Sequence, residues 1–379
     1  MASKNIFSAV SIIIGTAVGA GIFALPYAFA KSGVGVGLAY LIALGVVTLV
    51  ITLAYGEVTL RTTERLQVVG YTKKYLGSRW RIVALISFLF GITGALIAYP
   101  IAVGEFIETL FGQGMPGGAF EYGLLYFLIA AAIVFAGLGM VVYFERIMVV
   151  ALVAVVLLVI GFGIPHVDPQ NWTGFSPVYM FLPYGVILFA LSAASAVPDA
   201  MDALADKRKL KRAIIIGMAV PLIIYGLFSL VLVGITGTAT HEGAIPGLVS
   251  IVHPWIVIGA IIFGIFSMTT SFLALGLVIR EIYQFDFRLS KGWAWLAAMV
   301  PPFLIYFFQL SSFVEIISLV GGVMGGFDGI IILLLWRKAR EKGNRQPEFT
   351  LTIPRWAQVL MFSVFILGIV YQLVSQISL

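Results

Sequence analysis

The sequence has no cysteine, three histidines and only 11% charged residues among its 379 positions. Without cysteine there is no disulfide, no thiolate metal site and no cysteine nucleophile, and the redox compartment is left open. The histidines, His166, His241 and His253, are far apart in segments read as loops on one side. They are too scattered for a metal cluster or a Ser-His-Asp arrangement. No enzyme and no cofactor are expected. A signal peptide is not expected either, because MASKN runs straight into an apolar stretch too long for an h-region and without an A-x-A break.

Hydrophobic residues make up 61% of the chain, where a soluble domain carries roughly 25% charged residues. Windows of about twenty apolar residues recur near 6–30, 35–59, 82–111, 121–142, 147–164, 181–203, 212–236, 254–284, 292–308, 312–336 and 356–377. Each is long enough to cross the roughly 30 Å hydrocarbon core as a helix, which predicts an all-α integral membrane protein of eleven spans. With the N-terminus in the cytoplasm, Lys4, the basic stretch from Arg61 to Arg81, Arg146, the run Lys207 to Arg212, Arg280 to Lys291 and Arg337 to Arg355 all fall inside. Lys31 alone falls outside. This is the positive-inside pattern, and it puts the chain in the plasma (cell inner) membrane with the C-terminus outside. It also accounts for the net charge of +6 without nucleic acid, so lipid and a small solute are the expected partners.

Residues 15–21, GTAVGAG, place three glycines and two alanines at the centre of the first span. Five spans later FALSAASAVP, residues 189–198, gathers alanines and serines in an interrupted apolar segment. An odd number of spans inverts the second half relative to the first. Inverted halves with small-residue breaks at equivalent places are the sequence pointer to the midplane site of a secondary transporter. One transmembrane domain is expected, with repeat 1 at about 5–165, repeat 2 at about 178–340 and an additional helix at about 355–378. A break near residue 18 would expose N–H groups around Ala20 and Gly21 and the carbonyls before them, groups that lipid cannot satisfy. A zwitterionic amino acid can, with its carboxylate on the N–H groups at a positive helix end and its ammonium on the carbonyls. Glycine there permits unusual backbone angles and close approach. GTAVG is also a literal G-x-x-x-G, which packs helices with no ligand, and the second break is what favours the transport reading.

In the eighth span Ser267, Thr270 and Ser271 share one helix face and offer hard oxygen ligands for a small cation, or bond back to carbonyls one turn earlier. Among the intramembrane acids, Glu57, Glu105, Glu108 and Glu315 lie near span ends, while Asp328 in GGVMGGFDG is deeper and is the candidate proton relay, against a structural role.

GTAVGAGIFALP followed by AFAKSGVGVG resembles the first helix of the amino acid and auxin permease family and its bacterial aromatic and hydroxy amino acid relatives. These belong to the amino acid, polyamine and organocation superfamily, whose fold is shared with the sodium-coupled transporter LeuT. The resemblance extends to Leu182-Pro183 and Val197-Pro198 in the sixth span and to TTSFLALG in the eighth. It implies a LeuT-type 5+5 inverted repeat with broken helices 1 and 6 plus an eleventh helix. It assigns substrate contacts to Ala17, Gly19, Ala20 and Gly21, to Phe189, Ala190 and Ser192 with Ser195 just beyond, and to Tyr99 as a cover over the carboxylate. It assigns one sodium site to the carbonyls of Gly15, Val18 and Ser267 and the hydroxyls of Thr270 and Ser271. Where relatives that hold a second sodium beside the substrate have Asn and Thr, this chain has Ile22 and Ala190, so at most one sodium is expected.

The expected function is a symporter importing a neutral L-amino acid by alternating access, coupled to sodium or else to protons. A channel would need a polar stripe or charged ring that the spans lack. A transport-inactive sensor on the same fold is the remaining alternative.

Overall fold

The computed structural model describes residues 5–112, 116–137, 141–249 and 251–377, and the side chains of all these except 141–150, 152, 286, 376 and 377. Lys4, the 138–140 portion of the fourth expected span and the side chain of Arg146 lie outside that set.

The described residues form α1 (Ile6–Ala17), α2 (Gly21–Ser32), α3 (Val34–Leu60), α4 (Val68–Leu76), α5 (Ser78–Phe111), α6 (Ala119–Ala136), α7 (Val141–Gly163), α8 (Leu182–Ala190), α9 (Val197–Asp202), α10 (Leu210–Thr236), α11 (Pro254–Glu281), α12 (Lys291–Phe307), α13 (Phe313–Lys342) and α14 (Arg355–Ile377). No strand occurs among them. The first span is the pair α1 and α2, bent by 54° at a three-residue break. The sixth is α8 and α9. The short α4 lies between spans, and every other helix is one span. Eight segments are individually long and apolar enough to cross a membrane, and the bent pair makes a ninth. The 23-residue α7 and 17-residue α12 complete the eleven. The architecture is the LeuT-type inverted repeat with broken first and sixth spans and an added eleventh helix.

Local chemistry fixes the ends. Asn5 caps α1 by accepting the Ser8 N–H at 2.8 Å. At α13, Ser312 and Glu315 form a reciprocal capping box, with the Ser312 N–H donating to Glu315 Oε2 at 2.9 Å. Glu315 therefore has a structural task. Glu57 has another: its fully buried carboxylate accepts from Arg61 Nε at 2.8 Å, Trp336 Nε1 at 2.7 Å and the Leu351 N–H at 2.8 Å. That network offsets the desolvation of the charge and ties α3 to α13 and to the segment leading into α14.

Helices α5, α6, α11 and α12 pack on one another as one group. A second group joins α1, α2 and α3 with α8, α9 and α10, and α13 bridges the two through α8 and α5. Helix α7 packs chiefly on α11 and also reaches α10, and α1 rests on α10, α9 and α7 with at most marginal backbone contact to α5 or α11. The membrane face carrying the basic loops is held by Arg65, which pairs with Asp199 at 2.6 Å and Asp202 at 2.7 Å on α9. On the opposite face residues 164–179 form short 3-10 turns that lie on α10, where Trp172 Nε1 donates to the Leu230 carbonyl at 3.0 Å and Asn171 Nδ2 to that of Gly234 at 2.8 Å.

Candidate functional site

Both breaks fall where small side chains gather at mid-span, Gly15 to Gly21 in the first span and Ala190 to Ala196 in the sixth. In the first, the Val18 N–H still completes α1 by donating to the Ile14 carbonyl at 2.7 Å, and Gly19 N–H turns back to the Ala17 carbonyl at 3.0 Å. The Ala20 and Gly21 N–H groups have no acceptor among the described residues. They stand at the start of α2, where the helix dipole adds positive potential. Neither Gly15, Gly19 nor Gly21 has a positive φ. The expectation of unusual backbone angles is therefore corrected: glycine serves close approach. A Cβ on Gly21 would stand 2.7 Å from Ala190 Cα, because the two breaks touch at this point.

The second break is satisfied differently. Leu191 N–H donates to the Ile187 carbonyl at 2.9 Å, Ser192 N–H to Phe189 at 3.2 Å, Ala193 N–H to Leu191 at 2.9 Å and Ala196 N–H to Ala193 at 3.1 Å. The Ala194 and Ser195 N–H groups have no acceptor among the described residues, so this break also leaves two bare donors, beside the Ser192 and Ser195 hydroxyls and the Phe189 ring.

Between the breaks lies a cavity of about 220 Å³. Its wall brings together Gly15, Thr16, Ala17, Gly19, Ala20 and Gly21 of the first span, Phe189, Ser192 and Ser195 of the sixth, Tyr99 of α5 and Ser271 of α11. Phe88, Ile92, Leu188, Leu275, Val320 and Met324 complete it, and no charged side chain is among the described residues that line it. Ala190 is buried directly behind this wall, against Gly21.

The cavity is continuous, through Thr16, Phe88, Ser192, Ser195, Leu275 and Met324, with a vestibule of about 510 Å³. The vestibule reaches Gln67, Val68, Asp199 and Ile282, at span ends that lead into basic loops. Asp328 lines the vestibule, not the inner cavity, and has no hydrogen-bond or ion-pair partner among the described residues. Toward the opposite face the path is shut. Phe23, one turn past the first break, packs edge-on against Phe106 with ring centroids 5.2 Å apart, and both rings are buried. Beyond this pair a separate hollow holds Tyr27, Lys31, Glu105, His241 and Glu242. There burial lowers the His241 pKa from its ordinary value, against Glu242 and Glu108, which raise it.

The five residues expected to hold a cation are not drawn into one cage. Gly15 and Ser271 share the cavity wall, Val18 is buried, and the Thr270 hydroxyl donates back to the Ser267 carbonyl at 2.9 Å. The sequence also gave no hint of Tyr225, in the middle of α10. Its buried hydroxyl lies 2.6 Å from the Ala17 carbonyl and 3.1 Å from the Ala190 carbonyl, one from each break. The available signal was general: a phenol at mid-span in an apolar helix must find a partner.

Comparison with known proteins agrees with this architecture over nearly the whole chain. The profile of the tryptophan/tyrosine permease family matches residues 2–374. Glutamine transporter 2 of Aliivibrio fischeri is 22% identical over 342 residues, covering 87% of this chain and 86% of its own. Tyrosine-specific transport system 1 of Haemophilus influenzae is 22% identical over 356 residues, covering 88% of each. Among solved structures, MhsT in complex with L-phenylalanine superposes with a TM-score of 0.64 at 16% identity, covering 98% of both chains. The chain belongs to the tryptophan/tyrosine permease family: it is a multi-pass membrane protein of LeuT-type fold that transports amino acids, and not an enzyme.

Proposed function

We propose that the chain imports a neutral L-amino acid with a bulky, aromatic side chain, coupled to one sodium ion, and that the structure is its inward-facing form. The observation that carries the reading is the uncharged cavity between the breaks, open through the vestibule to the basic face and closed toward the other by Phe23 and Phe106. The positive-inside rule assigns the basic face to the cytoplasm.

The substrate carboxylate would sit on the free Ala20 and Gly21 N–H groups, under Tyr99. Without a buried acid or base in the wall, a charged side chain would be left uncompensated, which favours a neutral one. Phe88, Phe189 and Met324 offer ring and sulfur contacts to an aromatic group. The fold's relatives are described as taking tyrosine, glutamine and phenylalanine, all neutral.

Sodium would be held between the carbonyls of Gly15, Val18 and Ser267 and the hydroxyls of Thr270 and Ser271 once α1 closes on α11. Its looseness in an inward-facing form is what ion release toward the cytoplasm requires. A second reading, proton coupling, is favoured by one specific feature, the unpartnered Asp328 carboxylate in the vestibule. Uptake of labelled L-tyrosine and L-phenylalanine into proteoliposomes separates the two. The sodium reading expects uptake to follow an imposed sodium gradient and to persist in Asp328→Asn. Uptake that survives complete replacement of sodium but collapses with the pH gradient overturns it.

A further inference from the structure

We propose that the Tyr225 hydroxyl takes the place of a bridging cation, joining the two broken spans so that the substrate site forms without a second ion; this rests on the reading that the breaks bind the amino acid. Ala17 ends α1 and Ala190 ends α8. Each carbonyl has lost the N–H four residues on that would have completed its helix, and each is the negative end of a half-helix dipole. The two converge on one point, 2.6 Å and 3.1 Å from the same phenolic oxygen. Ala17 also accepts the Gly19 N–H at 3.0 Å, which its second lone pair allows.

Two carbonyl oxygens aimed at one point in a medium without water repel one another unless something positive lies between them. A small cation or an O–H group meets that need. The residues next to the pair decide which: Ile22 and Ala190 carry no side-chain oxygen, so a cation here would find only main-chain ligands, whereas Tyr225 brings a donor on a rigid ring from α10. The hydroxyl is fully buried, outside the cavity wall, and neighbours the contact where Gly21 meets Ala190. Its single proton goes mainly to Ala17, the shorter contact, and is shared with Ala190.

Two consequences distinguish a hydroxyl from an ion. It cannot dissociate, so the inner ends of α1 and α8 stay joined throughout the cycle. It also adds no charge, so the substrate travels with one cation fewer than a bridging ion would bring. Tyr225 is thus a positioning residue that sets the coupling ratio, acting through the two carbonyls and not by touching substrate.

The test is Tyr225→Phe in the full-length protein, with equilibrium binding of labelled L-phenylalanine and L-tyrosine titrated in sodium, lithium and choline chloride. In wild type the cation dependence is expected to have at most one phase. In the variant, affinity in choline falls by about tenfold, the scale of a lost buried hydrogen bond, and sodium or lithium restores it along a new phase. Unchanged affinity overturns the inference, as does a loss whose cation profile matches wild type. Should the variant fold poorly, yields of folded protein purified in the three salts decide: rescue by sodium or lithium supports the bridge, and equal loss in all three overturns it. Wild type that binds no amino acid at all defeats the transport reading itself and this inference with it.

Discussion

The first and sixth spans are broken at equivalent depth and do different work. At the first, the N–H groups of Ala20 and Gly21 have no acceptor among the described residues, and the half-helix before them rests on α10, α9 and α7. At the sixth, the N–H groups of Leu191, Ser192, Ala193 and Ala196 close back on the chain while those of Ala194 and Ser195 have no acceptor among the described residues, and exposed Arg65 pairs with Asp199 and Asp202 on the half-helix that follows. The first break brings backbone and small side chains to the cavity wall, and the second adds the Ser192 and Ser195 hydroxyls and the Phe189 ring. Backbone N–H groups recognise what every amino acid shares, its carboxylate, while side chains at the second break meet what differs between them. On the reading proposed above, the first break would serve affinity and the second selectivity.

The largest expected effect is at their contact. Gly21→Ala places a methyl 2.7 Å from Ala190 Cα, backbone that cannot step aside cheaply, so the breaks must separate and proteoliposome uptake should fall at least about 100-fold. Gly19→Ala, whose Cβ meets nothing within 4 Å, is the matched control and should lose less than about tenfold. Comparable losses in both would mean that the contact between breaks is not what matters. Next, Thr270→Ala with Ser271→Ala removes the two hydroxyls proposed to hold sodium, and the sodium concentration for half-maximal uptake should rise about tenfold with thermal stability retained. An unchanged sodium requirement would leave those hydroxyls as packing. Ser192→Ala at the second break should change the preference between L-tyrosine and L-phenylalanine by about fivefold in competition uptake while leaving carboxylate recognition intact. An equal change for both substrates would move Ser192 from selectivity to general affinity. The smallest effect is at the tether: Arg65 is exposed, so Arg65→Ala should cost under about 1 kcal/mol in a denaturation assay, and a larger loss would show α9 to be held by little else.

The spans were legible because lipid imposes a length and because basic residues gather on one face, but the boundary between the fourth and fifth windows was set late, since α6 ends at Ala136 and α7 begins at Val141 where the windows ended near 142 and began near 147. Both breaks were legible as well, since small residues at mid-span have few other uses when they recur in inverted halves. The cavity wall at Ala17, Gly19, Ala20, Gly21, Tyr99, Phe189, Ser192 and Ser195 followed from the resemblance together with the breaks. Other features depend on three-dimensional approach. Nothing in the one-dimensional pattern distinguishes Tyr225, which reaches two carbonyls far from it in sequence, from any tyrosine on an apolar helix. The task of Gly21 is invisible until Ala190 is beside it. Glu57 reads as an acid near a span end, and only the convergence of Arg61, Trp336 and the Leu351 N–H in three dimensions shows the structural tie it makes.

The central claim, that the unpaired N–H groups of the first break hold the substrate carboxylate, is tested most directly by comparing L-phenylalanine with phenethylamine, the same molecule without its carboxylate, in equilibrium competition on the wild-type protein. Two hydrogen bonds to a charged group at about 1.5–3 kcal/mol each predict that phenethylamine binds at least about 100-fold more weakly. Equal binding of the two would contradict the account.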